Sequence, residues 1–300
     1  MKKVLFATTA LVATAGMAAA DVSFGGFGRF GLFYDEGLAD ETRIEQRFRL
    51  TITGTAEADN GVEFEGRIRF QTDDNAAGAS NGAQSSAAGF AVTSGGFRLD
   101  VGHVSDVIDS GDVVDYYGYG VGLTSFAEQS SGFGLPASGF GSGGDETLVA
   151  PTVKLRYTAG DFTVSASYTD DALGGEEYQV GVGYNFGNYS AGIAIGNEDA
   201  TDFDFVAASF GGEIGALAFS ILVADYDGNA DTSYGFSVKY DIGAATDIRF
   251  VYSDNGTPGA DETVAIGFRH SLGGGVSLRG GIGQNNAGNT VADLGVQFGF

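Results

Sequence analysis

The stretch Arg43-Ile44-Glu45-Gln46-Arg47-Phe48-Arg49-Leu50-Thr51-Ile52-Thr53-Gly54-Thr55 sorts its side chains into two sets. Arg43, Glu45, Arg47, Arg49, Thr51 and Thr53 alternate with Ile44, Gln46, Phe48, Leu50 and Ile52. Successive side chains of a strand leave opposite faces, so the segment reads as a strand with one cationic face and one oily face. The same sorting runs outward in both directions. Arg29 stands against Phe30 and Leu32, Arg67 and Arg69 against Ile68 and Phe70, and Arg98 against Phe97 and Leu99. Further on come Lys154 and Arg156, then Lys239, Arg249, Arg269 and Arg279, each flanked by large apolar neighbours. All thirteen Lys and Arg residues after position 20 share the polar parity, which random placement would give about once in several thousand chains. Strands therefore run from end to end, although alternation alone leaves open which face meets water.

The first twenty residues read differently. Lys2 and Lys3 precede a mostly apolar run from Val4 to Met17, and Ala18-Ala19-Ala20 offers a cleavage site before Asp21. This is the pattern of a secretory signal peptide, shorter than a membrane-spanning helix, and the expected mature domain is 21–300. Removing it takes away two lysines and no acid, which leaves thirteen cations against 39 carboxylates. Such an acidic chain is a poor partner for nucleic acid. It contains no cysteine, so neither disulfides nor a zinc-thiolate centre supports it.

No later segment has the length and apolarity of a spanning helix, so the alternatives are a soluble β protein and a membrane β-barrel. Composition favours the barrel: 51 glycines, 24 Phe and 13 Tyr accompany only three prolines, each in a loop or at a strand start. Short connections are expected at Ala58–Gly61, Ser94–Gly96, Ala159–Asp161, Gly187-Asn188, Gly211–Gly215, Gly243–Ala245 and Leu272–Gly274. Longer ones are expected at Asp35–Glu41, Asp73–Ala87, His103–Ala150, Asp170–Glu176, Asn197–Asp202, Asp227–Thr232, Asp254–Asp261 and Asn285–Thr290. Seven short turns alternating with eight longer loops predict an all-β, 16-stranded antiparallel transmembrane barrel with both termini at one end. Aromatics on the apolar parity gather beside both sets of connections, as two bilayer-interface belts require. Around Phe203–Phe210 and Ala216–Tyr226 both faces are fairly apolar, which fits either burial between subunits or a different register.

Elsewhere the polar parity carries mainly Ser, Thr and Gly, too small to fill a cylinder of sixteen strands, so the centre holds water or a folded-in loop. The third long connection, His103–Ala150, is the expected occupant. It has no Lys or Arg but contains Asp106, Asp109, Asp112, Asp115, Glu128, Asp145 and Glu146. Opposite in character are Arg29, Arg43, Arg47, Arg49, Arg67, Arg69 and Arg98 of the first five strands. An inward fold would set carboxylates against guanidinium groups across a narrow waist, combining a transverse field with a size limit. The third-residue spacing of Asp109, Asp112 and Asp115, with Asp106, would align carboxylates on a helical turn and offers a Ca²⁺ site; relief of their repulsion by the arginines or by pKa shifts is the alternative. Catalysis has little support: His103 and His270 are the only histidines, and no serine elbow or zinc spacing appears.

The closing run Thr290-Val291-Ala292-Asp293-Leu294-Gly295-Val296-Gln297-Phe298-Gly299-Phe300 resembles the ending of the alphaproteobacterial, Rhodobacter-type general-diffusion porins. So do Val22–Tyr34 with Gly26, Arg29 and Gly31, the pair Gly54-Thr55 followed by Gly61-Val62-Glu63-Phe64, and Tyr157–Tyr168 around Ala-Gly-Asp. The resemblance implies an outer-membrane homotrimer for passive diffusion of small hydrophilic solutes and ions, with a third loop in the pore whose acids face arginines. It also implies that Phe300 is read by the barrel assembly machinery and that outer-membrane lipid surrounds the chain. Other readings are a lipase-like barrel enzyme and a secreted β-sandwich adhesin.

Overall fold

The computed structural model describes residues 20–74, 79–137, 150–171, 175–199 and 202–300. All but Ala20 of the expected signal peptide, and the acids Asp145 and Glu146, lie outside them.

Sixteen antiparallel strands follow one another in chain order. They are β1 Asp21–Asp35, β2 Thr42–Glu57, β3 Glu63–Asp73, β4 in two pieces (Gln84–Ser85 and Gly89–Ser94), β5 Phe97–Gly102, β6 Thr152–Ala159, β7 Phe162–Asp171 and β8 Gly175–Phe186. Then come β9 Tyr189–Glu198, β10 Phe203–Ile214, β11 Leu217–Tyr226, β12 Ser233–Asp241, β13 Thr246–Asp254, β14 Thr263–Gly273, β15 Val276–Gln284 and β16 Thr290–Gly299. A single helical turn, α1 Val107–Ser110, interrupts the longest connection. Each strand pairs with its neighbours, and β16 pairs with β1 from Gly299↔Phe27 to Val291↔Asp35, closing the sheet. Closure leaves no unpaired edge. Beside the seam Phe300 exchanges backbone hydrogen bonds with Gly26 at 3.1 and 3.2 Å, and its ring stacks on Phe48 at 5.4 Å.

The alternation decides the two faces. Phe30, Leu32, Ile44, Ile193, Ile266, Ile282 and Leu294 point outward and are about half exposed or more. More than thirty large apolar side chains among the described residues are exposed, mostly on this parity, far more than a water-soluble surface tolerates. Aromatic contacts mark both rims: Tyr184, Phe186, Tyr189, Phe210 and Phe219 pack together near the short turns, while Tyr168 meets Tyr178 and Tyr234 meets Tyr252 near the long loops.

The expected boundary at Gly211–Gly215 is too early. β10 continues through Gly211 and Gly212, paired with both β9 and β11, and through Glu213, paired with β11, and the chain reverses only at Gly215-Ala216, where Gly215 takes φ 64°. The double apolarity of β10 and β11 also has a cause other than the two anticipated. Their register is continuous, and the inward Phe205, Ala207, Leu222 and Ala224 pack against Val107, Ile108, Val113, Val114, Tyr116 and Leu135 of the third long loop. These side chains are apolar on both faces because lipid-facing residues alternate with residues covered by the loop.

Candidate functional site

The cations lie on the inward parity and occupy only part of the circumference. Beginning at Lys239 on β12, the arc passes through Arg249, Arg269 and Arg279, crosses the seam by Gln297 to Arg29, and continues through β2, β3 and β5 to Lys154 and Arg156 on β6. No Lys or Arg occurs from β7 to β11. Within the arc like charges stand directly opposite one another: Lys239 and Arg249, Arg269 and Arg279, Arg29 and Arg47, and Arg98 and Arg156. Such cross-strand pairs oppose folding, so this arrangement does not serve the sheet itself.

Strand acids moderate the repulsion. Arg29 holds Glu45 at 2.6 Å, Arg43 holds Asp74 at 2.7 Å, and Arg47 pairs with Asp73. Glu65 lies 3.8 Å from Arg67 and 3.3 Å from Arg98, which also reaches Asp100 at 2.9 Å. Arg49 has a neutral partner, donating from Nε to Gln71 Oε1 at 2.5 Å. Two inward aromatics that alternation did not single out support this wall: the Arg43 guanidinium sits 4.0 Å from the Phe33 ring centre, and that of Arg49 sits 5.1 Å from Phe27. An arginine stacked on a ring loses less freedom and keeps its edge donors available.

The loop segment 103–137 meets the cation-free arc and runs on along the inner face of β12–β16. Its backbone donates to side chains on the inward parity: Val107 N to Ser167 on β7, Ile108 N to Gln179 on β8, Asp115 N to Ser209 on β10 and Tyr119 N to Ser237 on β12. Further along, Asp293 on β16 accepts from Leu123 N, Thr124 N and Thr124 Oγ1, all at 2.8 Å. Small residues let the loop approach: a Cβ on Gly192 would lie 1.6 Å from Val113 O, and one on Gly235 would lie 1.7 Å from Gln129 O. Glycine at these positions makes room for another backbone.

The loop acids do not act as a set. Asp106 is fully buried and caps α1, accepting from Asp109 N at 2.7 Å. The helix then ends at Gly111, which is left-handed at φ 67°, and Asp112 and Asp115 fall beyond it. Asp109 accepts from the Tyr117 hydroxyl at 2.6 Å and lies within electrostatic reach of Arg69. Asp112 binds Lys154 at 2.7 Å and Arg156 at 2.6 Å. Burial alone would push the Asp112 carboxyl up, but these two cations outweigh it and hold it below the usual carboxylate range. Asp115 accepts from Gly118 N at 3.0 Å. Asp109, Asp112 and Asp115 thus turn to separate partners, and no group of three metal-ligating side chains converges among the described residues; the calcium expectation rested on a helix that stops too soon. Glu128 is pushed up to about 7 by burial, which the attraction of Arg269 only partly offsets.

The expected arginines therefore share one wall, but the loop's explicit ion pair goes to Lys154 and Arg156, which the sequence reading did not select. Their signal was present, because they are the first cations after the acidic loop and lie on the polar parity. Arg249 and Arg269 were also passed over; both approach Gly120 O, at 3.4 and 3.5 Å.

A sequence profile described as Gram-negative porin matches residues 7–290. The porin of Fuscovulum blasticum is 30% identical and that of Rhodobacter capsulatus 28%, each alignment covering 93% of this chain and 100% of the relative. A solved mutant of Rh. blastica porin superposes with a TM-score of 0.81 at 27% identity, covering 93% of this chain and all of the other.

Proposed function

The chain belongs to the Gram-negative porin family, and from that premise we propose that its outer-membrane channel selects solutes between the cationic arc and the acidic edge of the loop 103–137. The protein is a passive β-barrel channel and not an enzyme, and its place is the outer membrane of a Gram-negative bacterium. Arg29, Arg43, Arg47, Arg49, Arg67, Arg69 and Arg98 form one side of the constriction in this reading. Asp109, Asp112, Asp115 and Glu128 form the other, with Asp106 capping the helical turn that carries Asp109. Solutes cross down their own gradients, sieved by width and by a field directed from the arginines to the loop.

The observation that carries the proposal is the division of the inner wall. Seven of the thirteen cations lie on the first five strands, where few loop contacts are made, while the loop is hydrogen-bonded or packed to β6–β8, β10–β14 and β16. A loop held to one side narrows the lumen while leaving the charged side open to water.

The proposal extends to the chain's maturation. Residues 1–20 are removed on export, Phe300 at the seam presents the signal for barrel assembly, and three mature copies associate in lipid. Purified protein in planar bilayers should give stepwise, ohmic conductance that falls as the solute added to the bath grows larger. Protein that inserts and gives no current steps would contradict the channel. Cross-linking that stops at monomers would contradict the trimer alone.

A further inference from the structure

At the short-turn end of the inner wall, beneath the β12–β13 connection, lies a cavity of about 420 Å³ lined by Thr246, Asp247, Arg269, Ser271, Ser277 and Arg279 among others. Arg269 and Arg279 are direct cross-strand partners, as are Ser271 and Ser277, so two guanidinium groups and two hydroxyls face the same space. Among the described residues neither arginine forms a salt bridge, although Asp247 attracts both and Glu128 attracts Arg269 from a distance. Arg279 donates to Ser277 Oγ and Gln297 Oε1, both at 2.9 Å. Arg269 reaches only Gly120 O, at 3.5 Å, and its buried Nε has no hydrogen-bond partner.

Two acids, Asp241 and Asp247, also line the cavity, and each is already engaged. Asp247 binds Arg249 at 2.7 Å, and Asp241 lies 3.5 Å from Lys239. Lys239, Arg249, Arg269 and Arg279 exceed these two acids by two charges, or by one when Glu128, which attracts Arg269, is ionised, in a chain whose net charge is −24. A local positive excess with unused fork donors and serine hydroxyls matches the chemistry of a tetrahedral oxyanion.

We infer that the Arg269–Arg279 cavity is a binding station for phosphate-type oxyanions passing through the channel, distinct from the constriction formed by the first five strands. The inference rests on the channel reading, because the cavity opens on the inner wall. An anion crossing the barrel is held there by two guanidinium groups and released down its own gradient.

The test uses the full mature protein in planar bilayers at fixed KCl, with inorganic phosphate added to both chambers. Chloride current through the wild type should fall saturably with phosphate. Arg269→Gln or Arg279→Gln should raise the half-blocking concentration by about tenfold or more, the loss expected for one charged hydrogen-bonding fork, while phosphate-free current persists. Arg279→Lys keeps the charge without the fork and should fall between them. A wild-type response that never saturates, or an unchanged half-blocking concentration in both Gln variants, overturns the inference. Absence of any KCl current instead contradicts the channel reading. In that case ³¹P line broadening of phosphate by the detergent-solubilised protein decides the site independently, and an unbroadened line overturns it.

Discussion

Reversing two charges on the arginine wall, Arg47→Glu together with Arg49→Glu, changes the fixed charge by four units at a place where strand pairing is otherwise undisturbed. At about 10 Å in water one unit charge acts on a passing ion with about 0.4 kcal/mol, and screening over one Debye length at 0.1 M salt leaves about 0.15 kcal/mol. Four units give about 0.6 kcal/mol, which raises cation occupancy and lowers anion occupancy by about threefold each, or about eightfold in their ratio. At 1 M salt the Debye length shrinks to about 3 Å and the same change yields less than about 1.3-fold. The assay is the reversal potential across a planar bilayer under a salt gradient, measured at low and at high mean concentration. An unchanged reversal potential at low salt would refute the placement of these arginines on the conduction path. A shift that persisted at 1 M would refute the electrostatic cause.

Glu128 should titrate near neutrality, so cation preference should rise between about pH 6 and 8 in the native protein and stay flat in Glu128→Gln. Because its carboxyl is raised, the stability it contributes is present below the ordinary carboxylate range and is lost as pH rises through about 7. Asp112→Asn leaves the nearly buried Lys154 unpaired and should weaken loop attachment by about 3 kcal/mol, read as faster proteolysis of the loop at neutral pH; unchanged resistance would contradict the anchor. The depressed Asp112 carboxyl has the opposite sign: its contribution is present above the ordinary carboxylate value and fails as acid protonates it, so native protein should show the same proteolysis in acid. Gly235→Val drives a side chain into the Gln129 carbonyl and should cost about 1 to 3 kcal/mol of loop packing, seen as altered conductance with the barrel's strand signal intact.

The strands were legible because hydrocarbon outside and water inside impose a two-residue period on every one of them. The hairpin at Gly187-Asn188 lies where the sequence indicates it, since two residues between runs such as Val180–Phe186 and Tyr189–Ile195 allow little else. Gly211 and Gly212 misled because glycine signals a turn when no partner is visible. Here they are strand residues beside Tyr189 and Phe219. The apolar inner faces of Phe205, Ala207, Leu222 and Ala224 carried the position of the loop, yet that information could be used only once Val107, Ile108 and Val114 were seen against them.

The candidate site was legible in part. Parity marked the arginines, but it could not say that Glu45, Asp73, Asp74 and Asp100 would moderate most of them, because carboxylates on neighbouring strands become partners only through register. Spacing suggested a common face for Asp106, Asp109, Asp112 and Asp115. Gly111 broke that face by ending the helix after one turn. Phe27 and Phe33 went unmarked because an inward aromatic violates the alternation on which the reading depended, and their purpose appears only with Arg49 and Arg43 above them.

The chain has no cysteine, which permits a direct measurement of which face meets water. Thr51→Cys on the inward parity and Leu32→Cys on the outward parity can each be reconstituted in liposomes and exposed to a charged, membrane-impermeant thiol reagent. Cysteine at 51 should react rapidly and cysteine at 32 should stay protected. Rapid reaction at 32 with protection at 51 would contradict the inverted barrel from which the channel follows.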